Sequence, residues 1–164
     1  MSRPTAPVDY IDVTRDSYAA LGFSAYRWVT SEEPAPWAVP RRPLHESRIA
    51  LIASGGIYVA GQIAFHFKDD TSFRLIPTDV ATEELRATHF AYDLTDARRD
   101  PNVVFPLDTL RGLVERGRIG GLTRHAFTFM GGIYSSRRVR DELAPAIARA
   151  VVEEGADAAL LVPV

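Results

Sequence analysis

Short apolar runs alternate with amphipathic stretches along most of the chain. Residues 49–53 (Ile-Ala-Leu-Ile-Ala) form a continuous apolar run that Ser54-Gly55-Gly56 ends. A run of that length without alternation predicts a strand buried on both faces, as in a parallel sheet. Residues 125–130 predict a second strand, stopped by Gly131-Gly132, and residues 158–162 (Ala-Ala-Leu-Leu-Val) a third buried one. Weaker strand patterns lie at 73–76 and 88–92. Residues 106–117 place Leu107, Leu110, Leu113 and Val114 on one face of a helix that Gly117 closes. Ser135 or Ser136 caps a longer helix with Val139, Leu143, Ile147, Ala150 and Val151 on its core face, ended by Gly155. Strands alternating with helices predict an α/β fold: a mostly parallel sheet with flanking helices, in a Rossmann-like or flavodoxin-like three-layer arrangement.

Ahead of this single α/β domain (46–164), residues 1–45 read as an extended N-terminal arm and proline-rich linker. Thr14 or Asp16 is expected to cap a short helix that stops at Gly22. Pro34, Pro36 and Pro40 then exclude helix and central strand. Trp28 and Trp37 flank that stretch and are expected to pin the arm to the body.

Composition narrows the function. The 164 residues are 46% apolar and 24% charged, with net charge −2, which fits one soluble globular domain and argues against a general nucleic-acid binder. No apolar run is long enough to span a bilayer, and the first residues lack the apolar stretch of a signal peptide, so a cytoplasmic protein is expected and no membrane partner. Every basic residue but Lys68 is arginine, a residue suited to bidentate carboxylate contacts. The chain has no cysteine, which excludes disulfides, thiolate nucleophiles and Cys-ligated metals within these residues. Nothing calls for a metal or another cofactor.

Ligands of open α/β sheets bind outside the carboxyl ends of the strands. That rule selects Ser54, Gly55 and Gly56, and Met130, Gly131, Gly132, Tyr134 and Ser135, where glycines admit a ligand to the backbone and a helix start offers N–H groups. Turn and cap duties explain the same residues. The densest polar segment spans 88–102. In it His89 offers a general acid or base, Asp93 or Asp96 can orient it, and Arg98 or Arg99 can clamp a carboxylate. A loop tied by Asp–Arg pairs is the plainer reading. His125 opens a strand and is either structural or a second proton source.

Four segments carry a resemblance: Tyr26-Arg-Trp-Val, Phe67-Lys-Asp-Asp-Thr-Ser-Phe-Arg74, His89-Phe-Ala-Tyr-Asp-Leu-Thr-Asp-Ala-Arg-Arg-Asp-Pro-Asn102 and Phe129-Met-Gly-Gly-Ile-Tyr134. Together they resemble the selenoprotein B family of the glycine, sarcosine, betaine and D-proline reductases, from about Val8 to the last residue. The third segment is the most specific. In that family a strand similar to 158–164 leads directly into selenocysteine or cysteine. The resemblance implies reductive cleavage of a small amino acid or amine, by a thiol or selenol just after Val164, with a thiol-redox partner protein. A UGA codon taken as a stop, a chain cut short, or a short relative without the redox centre would each account for the end at Val164. The first two are preferred, because a chain end after a buried central strand is unusual. Two other functions stay open: a non-redox anion-binding or assembly subunit, and an acid/base lyase or racemase. A homo-oligomer is expected in the main cases, the tryptophan-bearing arm being suited to reach across a neighbour.

Overall fold

The computed structural model describes residues 9–25, 30 and 32–164. The chain divides into two compact units, Met1–Pro36 and Trp37–Val164. In the first, α1 (Tyr10–Ala20) begins at Asp9, whose carboxylate accepts from the Ile11 and Asp12 N–H groups at 3.1 Å. The helix therefore starts ahead of the expected Thr14 or Asp16 cap. Asp9 prevails because one of its oxygens satisfies two donors that the helix leaves orphaned. Gly22, at φ +79°, closes the helix where expected. Trp28 lies outside the described residues. Trp37 is 83% exposed, so its ring is not buried against the body as the sequence reading expected.

The second unit carries strands β1 (Arg48–Ala53), β2 (Ile57–Val59), β3 (Phe73–Pro77), β4 (Leu85–Ala87), β5 (Gly121–Leu122), β6 (His125–Phe129) and β7 (Ala158–Val162). Its helices are α2 (Thr95–Arg99), α3 (Leu107–Glu115), α4 (Ser136–Arg138) and α5 (Ala144–Glu153). β1 is the central strand. β7 runs parallel to it on one side, from Ile49↔Ala158 to Ala53↔Val162. β5 and β6 run parallel to it, through Ile49↔Leu122 and Ile52↔Phe127, and β3 adds an antiparallel edge to β6. The mostly parallel sheet with flanking helices is as expected.

Alternation along β1 divides the interior into two cores. Ile49, Leu51 and Ala53 pack with Phe105, Leu107 and Leu110 on the α3 side. Ala50 and Ile52 pack with Phe127, Leu143 and Ile147 on the α5 side. Side chains of a strand point alternately to opposite faces, so one short apolar run serves both layers. Leu51 is only 1% exposed. Leu51→Ala is expected to cost about 2–5 kcal/mol, read as a lower urea midpoint.

Two elements differ from the sequence pattern. The strand expected at 88–92 is instead β4, three residues earlier, paired antiparallel with β2. The aromatic residues after it leave the strand and fold over the end of the sheet. β7 is a strand, but it is an edge strand and four of its five residues are exposed, Leu161 by 69%. Its apolar run encodes two faces made for burial, yet α5 covers β1, β6 and β3 and leaves β7 bare. A run of apolar residues reports what a strand can bury and not whether its cover lies in the same 164 residues. Among the described residues, no helix is long and apolar enough to cross a membrane.

The long helix begins where the sequence places it. The Ser135 hydroxyl accepts from the Arg138 N–H at 3.3 Å. A π turn, Val139–Leu143, joins α4 to α5. Pro145 lies in the first turn of α5 and has no N–H to give, which breaks the regular ladder at that point.

Candidate functional site

Three strand ends meet at one side chain. The Ser54 N–H donates to the Val162 carbonyl at 3.1 Å, and the Gly131 N–H to the Ser54 carbonyl at 3.0 Å. The Val164 N–H donates to the Ser54 hydroxyl at 2.9 Å. Ser54 thus ties the carboxyl ends of β1, β6 and β7 together. Glycine is required at two neighbouring positions. Gly56 has φ +67°, and a Cβ there would lie 2.0 Å from the Thr88 carbonyl oxygen. A Cβ at Gly132 would lie 2.3 Å from the Phe90 ring. Both close approaches come from residues 88–92, which lie across the strand ends.

That segment is anchored at both ends. The Thr88 N–H donates to the Gly56 carbonyl at 3.0 Å, and the Tyr92 hydroxyl to the Gly55 carbonyl at 2.8 Å. His89 sits between them, 9% exposed, its ring 4.7 Å from Tyr92 and stacked on Phe90 at 5.8 Å. Its Nδ1 accepts from the Ala91 N–H at 3.0 Å. A backbone donor at Nδ1 puts the ring proton on Nε2. That Nε2–H is buried and has no partner among the described residues. Buried polar groups without a partner are rare and call for a physical reason.

Burial pushes the His89 imidazole below its ordinary pKa, so the ring is neutral at pH 7. The unfolded chain then binds the proton more readily. Stability is full above about pH 6.5 and is lost as pH falls from there towards the lower folded value. Denaturation between pH 7 and 5 is expected to show this slope, and His89→Leu to remove it. Asp93 and Asp108 are held below the usual carboxylate range by hydrogen bonds from Thr95 and Thr82. Their contribution is lost only at lower pH, and the two effects separate.

Phe90 and Tyr134 stack at 6.5 Å and form an exposed aromatic rim over Gly132. The Tyr134 and Ser135 N–H groups both point to the Asp69 carboxylate, at 2.7 and 3.4 Å. The chain's own anion therefore occupies the helix start that the sequence offered to a ligand.

The structure thus brings together Ser54, Gly55, Gly56, His89, Met130, Gly131, Gly132, Tyr134 and Ser135. It places the other candidates elsewhere. Asp93 accepts from the Thr95 N–H and hydroxyl at 2.9 and 2.7 Å. Asp96 pairs with Arg99 at 3.5 Å on the exposed face of α2. Arg98 lines a groove with Tyr58, Arg86 and Thr88. His125 is at the amino end of β6, about 13 Å along the strand from Phe129. Its Nδ1 meets Glu154 at 2.5 Å and its N–H donates to the same carboxylate at 3.0 Å. Among the described residues, no three His, Asp or Glu side chains gather as a metal site would require. Phe90 was not singled out in the sequence, and Tyr92 stood in the polar segment without a role. Their place beside His89 in an aromatic-rich run was the available signal.

A family model described as glycine/sarcosine/betaine reductase selenoprotein B (GRDB) matches residues 23–164. The chain belongs to this family. It is 33% identical over 146 residues to the D-proline reductase subunit gamma of Acetoanaerobium sticklandii, covering 89% of this chain and 60% of that one. It is 32% identical over 137 residues to the glycine reductase complex component B subunit gamma of Symbiobacterium thermophilum, covering 76% of this chain and 30% of the relative. The chain therefore spans less than two thirds of the length of these curated relatives. No solved structure matches it. The selenoprotein B resemblance read from the four sequence segments is thereby confirmed as kinship.

Proposed function

We propose that this selenoprotein B family chain serves as a subunit of a reductase complex that reductively cleaves a small amino acid or amine. The sulfur in these residues is confined to the thioethers of Met1 and Met130. The nucleophile in this reading is a thiol or selenol immediately after Val164, reset by a thiol-redox partner protein. The observation that supports it is the meeting of three strand ends at Ser54, with the Val164 N–H held by the Ser54 hydroxyl and the unpartnered His89 Nε2–H in the adjoining segment. A residue following Val164 would emerge at that cluster. A low-pKa thiol or selenol there would be a nucleophile at neutral pH.

His89 has a restricted role in this reading. A neutral imidazole is a poor proton source, but its Nε2–H is a preorganised donor to a sulfur, selenium or carbonyl oxygen acceptor. An acid/base lyase is less well supported, because the histidine at the strand ends has no carboxylate partner among the described residues. The histidine that has one, His125, lies at the other end of its strand. The test is the gene beyond the codon for Val164. A UGA or cysteine codon with a continuing frame is the expected result. Any other codon at that position defeats the redox reading.

The same proposal includes self-association. β7 presents an apolar edge with β1 as its one strand neighbour among the described residues, and it carries no lysine or proline to discourage pairing. Light scattering at micromolar concentration is expected to give an oligomer, and Leu161→Arg to lower its mass. A monomeric wild type overturns this part.

A further inference from the structure

Several polar cavities are used by neither the strand-end cluster nor the redox reading, and one of them has no carboxylate in its lining. It lies against the small β2–β4 sheet, where Tyr58 pairs with Arg86. Its volume is about 470 Å³, within the ordinary range for a small-molecule site. Its polar lining is Tyr58, Arg86, Thr88 and Arg98, with the core residues Leu85, Ala87 and Ala97 behind them, each at most 8% exposed. Two guanidinium groups line it and no carboxylate does. Arg86 is aimed by its own backbone surroundings: one terminal nitrogen donates to the Glu83 and Leu85 carbonyls, both at 2.8 Å. Its remaining N–H groups are left over. The Arg98 side chain makes no hydrogen bond or ion pair among the described residues, whereas that of its neighbour Arg99 is paired with Asp96. The adjoining cavity of about 660 Å³ shares Arg86 and Arg98 as a wall and adds Glu83, Asp100 and the Arg111–Asp108 pair at 2.6 Å. Within this cavity's own lining the charge is therefore positive, from Arg86 and Arg98, with Asp93 acting on Arg98 from outside it and Glu83 and Asp100 lying in the adjoining cavity.

We propose that this cavity is a binding site for a small organic carboxylate, with Arg98 and Arg86 on the carboxylate, the hydrogen-bonded Thr88 and Tyr58 hydroxyls, 3.4 Å apart, supplying a further donor between them, and the Tyr58 ring against the apolar body. Guanidinium groups fit a carboxylate through paired N–H donors, and the Tyr58 ring in the lining favours an organic acid over a bare inorganic anion. The site stands apart from the redox reading: it would bind its ligand whatever residue follows Val164. Because residue 88 faces this cavity and residue 89 the strand-end cluster, a ligand held here lies on the segment that carries the unpartnered histidine.

The test is a titration of the chain with propionate, followed by the NMR signals of the arginine Nε–H groups, Tyr58 and Thr88, with inorganic phosphate and trimethylammonium as comparison ions. Saturable shifts with propionate at Arg98, Arg86 and Thr88 are expected, weaker binding with phosphate and none with trimethylammonium. Arg98→Gln is expected to weaken propionate binding at least fivefold, and Arg98→Lys to retain part of it. Arg98 is exposed and its side chain makes no hydrogen bond among the described residues, while its backbone N–H bond to the Leu94 carbonyl is kept in any variant, so these substitutions keep the structure intact. No shift at these residues, shifts unaffected by Arg98→Gln, or phosphate binding more tightly than propionate would each overturn the proposal.

Discussion

In the proposed reductase complex, replacing His89 by leucine is expected to lower turnover by about 10²-fold or more, while changing stability by no more than about 1 kcal/mol. The activity estimate rests on the cost of removing one preorganised donor from a water-excluded site. The stability estimate rests on two opposed effects. Leucine removes a buried Nε2–H that has no partner, which relieves a penalty. It also removes the Nδ1 acceptor of the Ala91 N–H, which restores one of similar size. His89→Gln keeps a donor in roughly the same place and is expected to recover part of the activity. Steady-state kinetics beside urea denaturation decide the matter. Unchanged turnover in His89→Leu would make the residue a packing element only.

Phe127→Ala is expected to destabilise the fold by about 3–5 kcal/mol. Phe127 has no exposed surface and lies in the α5-side core with Ala50, Leu143 and Ile147, its ring tilted 44° against Phe73 at 6.4 Å. Leu143 and Ile147 are the other large side chains fully inside this core, and both are fixed on the helical segment above it, so the space left cannot be refilled without shifting that segment. The next residue, Thr128, accepts the Ile57 N–H on its hydroxyl at 3.1 Å and so links β6 to the small β2–β4 sheet. The loss is therefore expected to be cooperative, in one transition. A change below about 1 kcal/mol in the urea-derived free energy would mean that the helix is held by other contacts.

Much of the second unit was legible in the chain. The apolar run at 49–53 and the glycines that stop it defined the central strand and the end at which the cluster forms. Leu107, Leu110, Leu143 and Ile147 fell on the faces that the helical period assigns them. What was not legible depended on partners distant in sequence. Nothing local says that β7 lacks a cover, or that Asp69 takes the N–H groups ahead of α4. The aromatic run at 88–92 has the composition of a strand, but Gly56 and Gly132 admit it as a cap over the sheet. The donor left free on His89 follows from one backbone hydrogen bond, and no spacing in the chain reports it. The cavity at Arg86 and Arg98 joins residues from two strands and a helix, of which only Arg98 stood in a segment that looked chemical.

The position of β1 has a consequence for synthesis. The middle strand of the sheet is made early, yet one of its two flanks is completed only by β7, and Asp157, which receives the Arg48 N–H, is 109 positions downstream. At translation rates of about 5–20 residues per second, that interval leaves an apolar, unpaired strand on the nascent chain for roughly 5–20 s. Loop closure over such a span is slow to return its entropic cost. The chain is therefore expected to depend on a holding chaperone during synthesis, and yields in a chaperone-depleted translation extract should fall most when elongation is slowed between β1 and β7.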